Sequence, residues 1–209
     1  MKTKLAKVLK SARYLFIAGA VLGAVIILGV RFITYKHEDI HYHANFAVFI
    51  NGEREQFNRQ AYYQETSMCA AGNTITPTLR AHMHDNANSV IHVEDHAVTW
   101  GQFFTNLGWY IGPDFIQNFD GTMYKESDGN RLNLVLNGQD YTGLGGLSNY
   151  EIKDKDKLLV SFGNVDSNTV NQEFKSIPST AAKYDTQKDP ASCKGHGPPT
   201  ISERFKHLF

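Results

Sequence analysis

Acidic side chains are missing from the first 36 residues, which carry seven Lys or Arg and no Asp or Glu. Charge of either sign is missing from Tyr14 to Val30, YLFIAGAVLGAVIILGV. Counted on through Phe32, Ile33 and Tyr35, the apolar stretch 14–35 reaches 22 residues, with Arg31 near its outer end. A helix rises about 1.5 Å per residue, so this stretch crosses the roughly 30 Å hydrocarbon layer. Arg31 can snorkel to the headgroups. A cleavable signal peptide has a shorter apolar core, about 7–15 residues, followed by a small-x-small site. Ala18-Gly19-Ala20 fits that site, but only four strongly apolar residues precede it. The sequence therefore predicts an uncleaved signal anchor at 14–35 whose partner is the lipid bilayer. It also predicts a basic cytoplasmic segment at 1–13 and everything beyond residue 36 outside the cell membrane, because basic flanks stay inside.

Cysteine is scarce: Cys69 and Cys193 are the two in the chain, and they do not form CxxC. That excludes a thioredoxin-type redox site. Outside the membrane a structural disulfide between Cys69 and Cys193 is expected, and in the chain-entropy model it contributes about 4–5 kcal/mol. The alternative role for Cys69 is metal ligation. A basic outer surface is missing too. The net charge of +0 divides into +7 for residues 1–36 and −7 for the remainder, which has 14 basic and 21 acidic residues. Such a domain repels nucleic acid and mildly attracts cations, although the same charge also serves solubility.

What is present beyond residue 36 is alternation. Tyr42, Ala44, Phe46, Val48 and Ile50 alternate with His41, His43, Asn45, Ala47 and Phe49, a strand with one face in the core. Asn51-Gly52 predicts a type I′ hairpin returning through Glu53 to Phe57. Thr78 to His84 alternates with Leu79, Ala81 and Met83 on one face and Arg80, His82 and His84 on the other. Val90 to Asp95 places Ile91 and Val93 opposite Val90, His92 and Glu94, and the turn cluster Asp85–Ser89 joins the two segments as a hairpin. Thr99 and Gln102 form a capping box for a short helix whose Trp100, Phe103, Phe104 and Leu107 face a sheet, with Gly108 at its end. After a loop rich in Gly, Pro and Asp come an Arg131–Leu136 strand, an Asn137-Gly138 turn, an Asp154-Lys155-Asp156 turn and a last strand with Leu158, Val160 and Phe162. The expected fold is α+β, strand-dominated over 37–163, with one short helix on a sheet and a β-grasp-like element order. Residues 164–209 read as a polar tail. Within it ISERFKHLF, with Ile201, Phe205 and Leu208 on one face, is expected to dock on the domain, with contact of this short helix with the membrane surface as the alternative.

Seven of the nine histidines lie between residues 37 and 96. Residues two apart in a strand share a face, so His41 and His43 point together, as do His82 and His84. If the hairpin centres on Ala87, His82 opposes His92 and the three rings converge, since opposed Cβ atoms lie about 4.5–5.5 Å apart. A one-residue slip would undo this. Three imidazoles on adjacent strands suit Zn²⁺ or Cu²⁺. The proposed ligands are His82, His84 and His92, joined by His41 and His43 if the first strand pairs nearby. Glu94, on the His92 face, could ligate or orient a ring, while Asp85 sits in the turn. His37 and His96 fall at loop ends. The pattern is neither HxHxDH, since Asp85 follows His84 directly, nor the cupin spacing, and no nucleophile motif is legible. The plain alternative is half-exposed strand histidines satisfied by water and carboxylates.

HYHANFAVFINGE, HMHDNANSVIHVEDHAVTWGQFF, LVLNGQDYTGL and DKDKLLVSFG resemble a family of membrane-anchored or secreted prokaryotic His-rich proteins. Its pattern has HxH, an HTHD…IHVE segment, a TLGQFF helix and a terminal NG hairpin. The resemblance covers roughly residues 37–163, and Met83 stands where the family commonly has Thr. It implies the location and the histidine set, and no reaction. The expectation is thus an extracytoplasmic zinc- or copper-binding domain on a single-pass anchor. A metal-free cell-surface interaction module is the alternative, and a zinc hydrolase with Glu94 as base comes third.

Overall fold

The structure is a computed structural model that describes residues 2–36, 40–63, 76–83, 87–141, 146–186 and 200–208. Cys69, Cys193, His84 and Asp85 lie outside the described residues, and so therefore does the expected disulfide. The chain divides into two compact units, Met1–Glu38 with His196–Phe209 and Asp39–Gly195. In the first, helix α1 runs Lys2–Thr34. Its Ala12–Thr34 portion, 23 residues, is long and apolar enough to cross a membrane, as a signal sequence also is.

The second unit is α+β around a mixed sheet. Strand β1, Tyr42–Ile50, turns at Asn51 (φ 53°) and Gly52 (φ 80°) into β2, Glu53–Arg54, with Ile50 opposite Glu53. Positive φ at both turn positions is the type I′ geometry that Asn-Gly favours. Next comes a single helical turn, α2, at Pro77–Arg80, and then β3, Ala81–His82, with Met83 bridging to Tyr63. The alternation over Thr78–His84 had predicted strand throughout. Pro77 in the first helical position, with φ preset for helix, wins over the first three residues. Strand β4 is Val90–Val93 and helix α3 is Trp100–Asn106, with the Thr99–Gln102 capping box formed in both directions.

The stretch after Gly108, expected as loop, instead holds a separate small sheet of β5 (Tyr110–Ile111), β6 (Phe115–Gln117) and β7 (Met123–Lys125). Segments of two or three residues are too short for alternation to register. The chain then returns through β8 (Arg131–Leu136), β9 (Gln139–Asp140) and β10 (Lys157–Gly163). The large sheet has the order β3-β4-β1-β10-β8-β9. Its centre is the parallel pair β1 and β10, Asn45 opposite Lys157. The other edge of β1 is shared: β4 takes Tyr42 to Asn45, and β2 takes Phe49 and Ile50.

Both faces of this sheet are covered. On one, α3 presses Trp100, Phe103 and Phe104 onto Ala44, Phe46, Val48, Leu158 and Val160. The other carries His43, Asn45, Ala47 and Phe49, and it too is buried. The cover comes from residues expected to be polar tail. Helix α4, Ser167–Ser176, is capped by Asp166 and lays Val170 on Ala47, Phe49, Val135 and Leu159, with Phe174 packed at the edge. Helix α5, Ala181–Thr186, follows it. The expectation of one short helix is corrected accordingly: Val170, Phe174 and Ile177 sit at helical spacing, but surrounding Asn, Gln, Ser and Lys mask it.

Helix α6, Ile201–Lys206, belongs to the first unit, with a Thr200–Glu203 capping box. Within that unit it meets the end of α1: Arg204 donates to the carbonyls of Phe32 (2.7 Å) and Ile33 (3.0 Å), which have no helical N–H left to accept from.

Candidate metal centre

Two strands build the site. Antiparallel pairing of β1 with β4 sets Tyr42 against Val93 and His43 against His92; continuing that register puts His41 against Glu94. Opposed residues share a face, so His41, His43, His92 and Glu94 gather on the side away from α3. His43 Nε2 lies 3.0 Å from His92 Nδ1, and His41 Nε2 lies 3.4 Å from the same nitrogen. One ligand atom from each of the three histidines falls within 4.8 Å of the other two. Four nitrogens held tetrahedrally around zinc, at Zn–N near 2.0–2.1 Å, stand about 3.3 Å apart. The two contacts to His92 are therefore of the length found around an ion, and the group as a whole could hold one. One proton can serve a single ring-to-ring contact, whereas a cation at the centre serves all three.

His43 and His92 are 0 % and 1 % exposed, which overturns the half-exposed, water-satisfied alternative for these two. His41 is the exposed member, with 26 % of its side chain accessible, against 6 % for Glu94. The Glu94 carboxylate stands 3.7 Å from His41 Nε2, a reach from which it can orient that ring or approach a shared cation.

The β3–β4 pairing is the register centred on Ala87: Ala81 opposes Val93 and His82 opposes His92. His82 is buried and its ring stacks over His92, centroids 5.8 Å apart at 18°. Its Nδ1 faces the Leu79 carbonyl at 3.2 Å, however, so it flanks the three converging rings. His92 thus stands between two histidine strands, and it forms the converging group with the pair on β1. His84 and Asp85 lie outside the described residues. His96 is exposed, and Arg80 holds its carbonyl (2.8 Å) together with the Asp95 carboxylate (2.7 Å). Burial would raise the Asp95 carboxyl, but the His96 amide and the Arg80 guanidinium outweigh it and hold it below the usual range.

Tyr42, between His41 and His43, points to the other face and donates to the Ile152 carbonyl at 2.7 Å. Burial, then Glu151, Asp156 and Asp154, push its phenol up to about 12, so it stays neutral and outside the site.

Sequence reasoning missed the roof over the histidines. Tyr184 of α5 sets its ring 5.7 Å from that of His43 and 6.0 Å from that of His92. Asn45 fastens the start of α5: its Oδ1 accepts from the Ala181 amide (2.9 Å), and its Nδ2 donates to the Thr180 hydroxyl (3.1 Å) and the Ser89 carbonyl (3.1 Å). Asn45 follows His43 on the same strand face, which was the available signal: a buried amide beside buried imidazoles asks for a polar cover. A surface groove exists elsewhere, lined by Arg80, Gln102, Asn106, Tyr110 and neighbours, and none of the three histidines borders it.

No family model matches the chain, and no curated protein or solved structure proved similar to it.

Proposed function

We propose that this chain is a single-pass membrane protein, N-terminus cytoplasmic, whose extracytoplasmic domain binds zinc or copper through His41, His43 and His92. The convergence of three imidazole nitrogens on one point carries the reading. Glu94 is the fourth group, as ligand or as orienter of His41, and His82 stands beside the site. Neutral imidazole nitrogens are ligands for both ions, so the donor set leaves the choice between zinc and copper open. The groove at Arg80 is bordered by none of the three imidazoles, and no nucleophile motif accompanies them, so the reading put first is of a binding protein.

Metal analysis of the purified full chain, followed by titration with Zn²⁺ and Cu²⁺, tests this. One equivalent bound per chain, lost in His92→Ala, is the expected result. Nitrogen hyperfine structure in the Cu²⁺ spectrum would identify the imidazoles. The 3.0 Å contact of His43 with His92 also suits a metal-free ring-to-ring hydrogen bond within an interaction module. A chain that takes up neither ion, and whose melting is unmoved by either, establishes that reading instead. Glu94→Gln tests whether the carboxylate takes part. As ligand or orienter it supports affinity, and removing its charge should weaken binding about 10–100-fold.

A further inference from the structure

The end of α1 carries a second, smaller structure whose apolar side is uncovered. Arg204 caps the Phe32 and Ile33 carbonyls, Phe205 sets its ring 5.0 Å from Phe32, and His207 stacks on Tyr35 at 4.6 Å. These contacts fasten α6 to the last turn of α1. Yet Ile201 and Phe205, one turn apart on α6, remain 69 % and 58 % exposed, beside an equally bare Ile33 at 75 %. In water alone, three large apolar side chains would be left wet next to a formed helix-to-helix contact, at roughly 1.5–3 kcal/mol of unrealised burial each.

The level of this patch is fixed by α1. The apolar portion ends at Thr34, and its 23 residues span about 34 Å against a hydrocarbon layer of roughly 30 Å. Phe32 to Tyr35 therefore fall where acyl chains meet headgroups, and so does the helix fastened to them. The charges agree with that level: Arg31 and Lys36 flank the end of α1's apolar run, and Arg204 and Lys206 lie in the last turn of α6, against Glu203. Cations at this depth meet lipid phosphates, and an aromatic such as Tyr35 suits the same boundary.

We propose that α6 is an interfacial helix that lowers Ile201 and Phe205 into the leaflet at the C-terminal end of α1, its occupant being phospholipid. The strand-rich unit is then tied to one bilayer at both its ends. A six-residue helix alone binds lipid weakly. Held by Arg204 against a span, it needs no independent affinity, because the span supplies a high local concentration. The inference rests on α1 crossing the bilayer, and the test separates the two.

The full chain is reconstituted into nanodiscs of phosphatidylcholine and phosphatidylglycerol, with and without bromine on the acyl chains, as wild type, Phe205→Trp and Val25→Trp. Trp100 and Trp109 are 0 % and 1 % exposed, so the native emission serves as a constant background. The expected result is that the added emission of both variants is blue-shifted and quenched by the brominated lipid. Quenching in Val25→Trp with water-like, unquenched emission in Phe205→Trp overturns the interfacial helix and leaves the span standing. Absence of quenching in both removes the span, and the inference with it.

Discussion

His92 is the residue on which the site turns, since its Nδ1 is the atom approached by both His43 and His41. Removing either β1 histidine leaves two rings; removing His92 leaves two that share only their own strand. A different residue, Glu173, gives the clearest pH signature. It is 6 % exposed on the inner side of α4, and neither carboxylate oxygen makes a hydrogen bond of ordinary geometry among the described residues. Burial pushes its carboxyl up, and the nearby Ser161 hydroxyl offsets only part of that. The folded state thus holds the proton more tightly than the unfolded chain does. The stability this contributes is complete below the unfolded value of about 4.3 and is lost as pH rises through the folded one. Glu173→Gln should therefore raise stability at pH 7–8, on the order of 1 kcal/mol, and converge with wild type near pH 4. Urea melts at several pH values read this directly.

Among the elements, those with local chemistry were legible. Two Asn-Gly pairs fixed two hairpins, Thr99 and Gln102 fixed the start of α3, and turn symmetry about Ala87 fixed the pairing of His82 with His92. What escaped depends on distant partners. Ala47 and Phe49 alternate with the core residues of β1 and are themselves apolar, a sign that both faces of β1 are covered, but nothing local says by what. Helices α4 and α5 answer that across more than a hundred residues of sequence, with Val170 and Phe174 on the one and Ala181 and Tyr184 on the other as a sparse apolar mark. Among the described residues the histidines that converge are His41, His43 and His92, brought together by the β1–β4 pairing, a long-range partnership that no local signal ranks. Helix α3 also makes a close approach that only a missing side chain permits. A Cβ on Gly101 would stand 2.6 Å from the Ser148 carbonyl oxygen, which is backbone and cannot swing aside. Gly101→Ala should cost about 1–3 kcal/mol despite alanine's better helix propensity, measured by denaturant melting.

At the scale of the molecule, the proposed extracytoplasmic placement makes a chemical prediction independent of any ion. Cys69 and Cys193, if exported, pair; the purified chain should gain two hydrogens in mass on reduction and lose at most about 4–5 kcal/mol of stability in Cys69→Ser. Protein recovered from the membrane fraction with both thiols free would place the domain on the cytoplasmic side and reverse the assigned orientation.

The parallel marriage of the first and last strands has a consequence for how the domain comes into being. Strand β1 is made early, yet the neighbour that completes it, beginning where Lys157 meets Asn45, is made late. Until then Asn45, Ala47 and Phe49 present unanswered amides along an open edge, the arrangement most prone to recruiting a neighbouring chain. Biogenesis, rather than the finished fold, is where this protein is most vulnerable: a polypeptide stalled before residue 157 carries its imidazoles but not the strand that closes the sheet beside them.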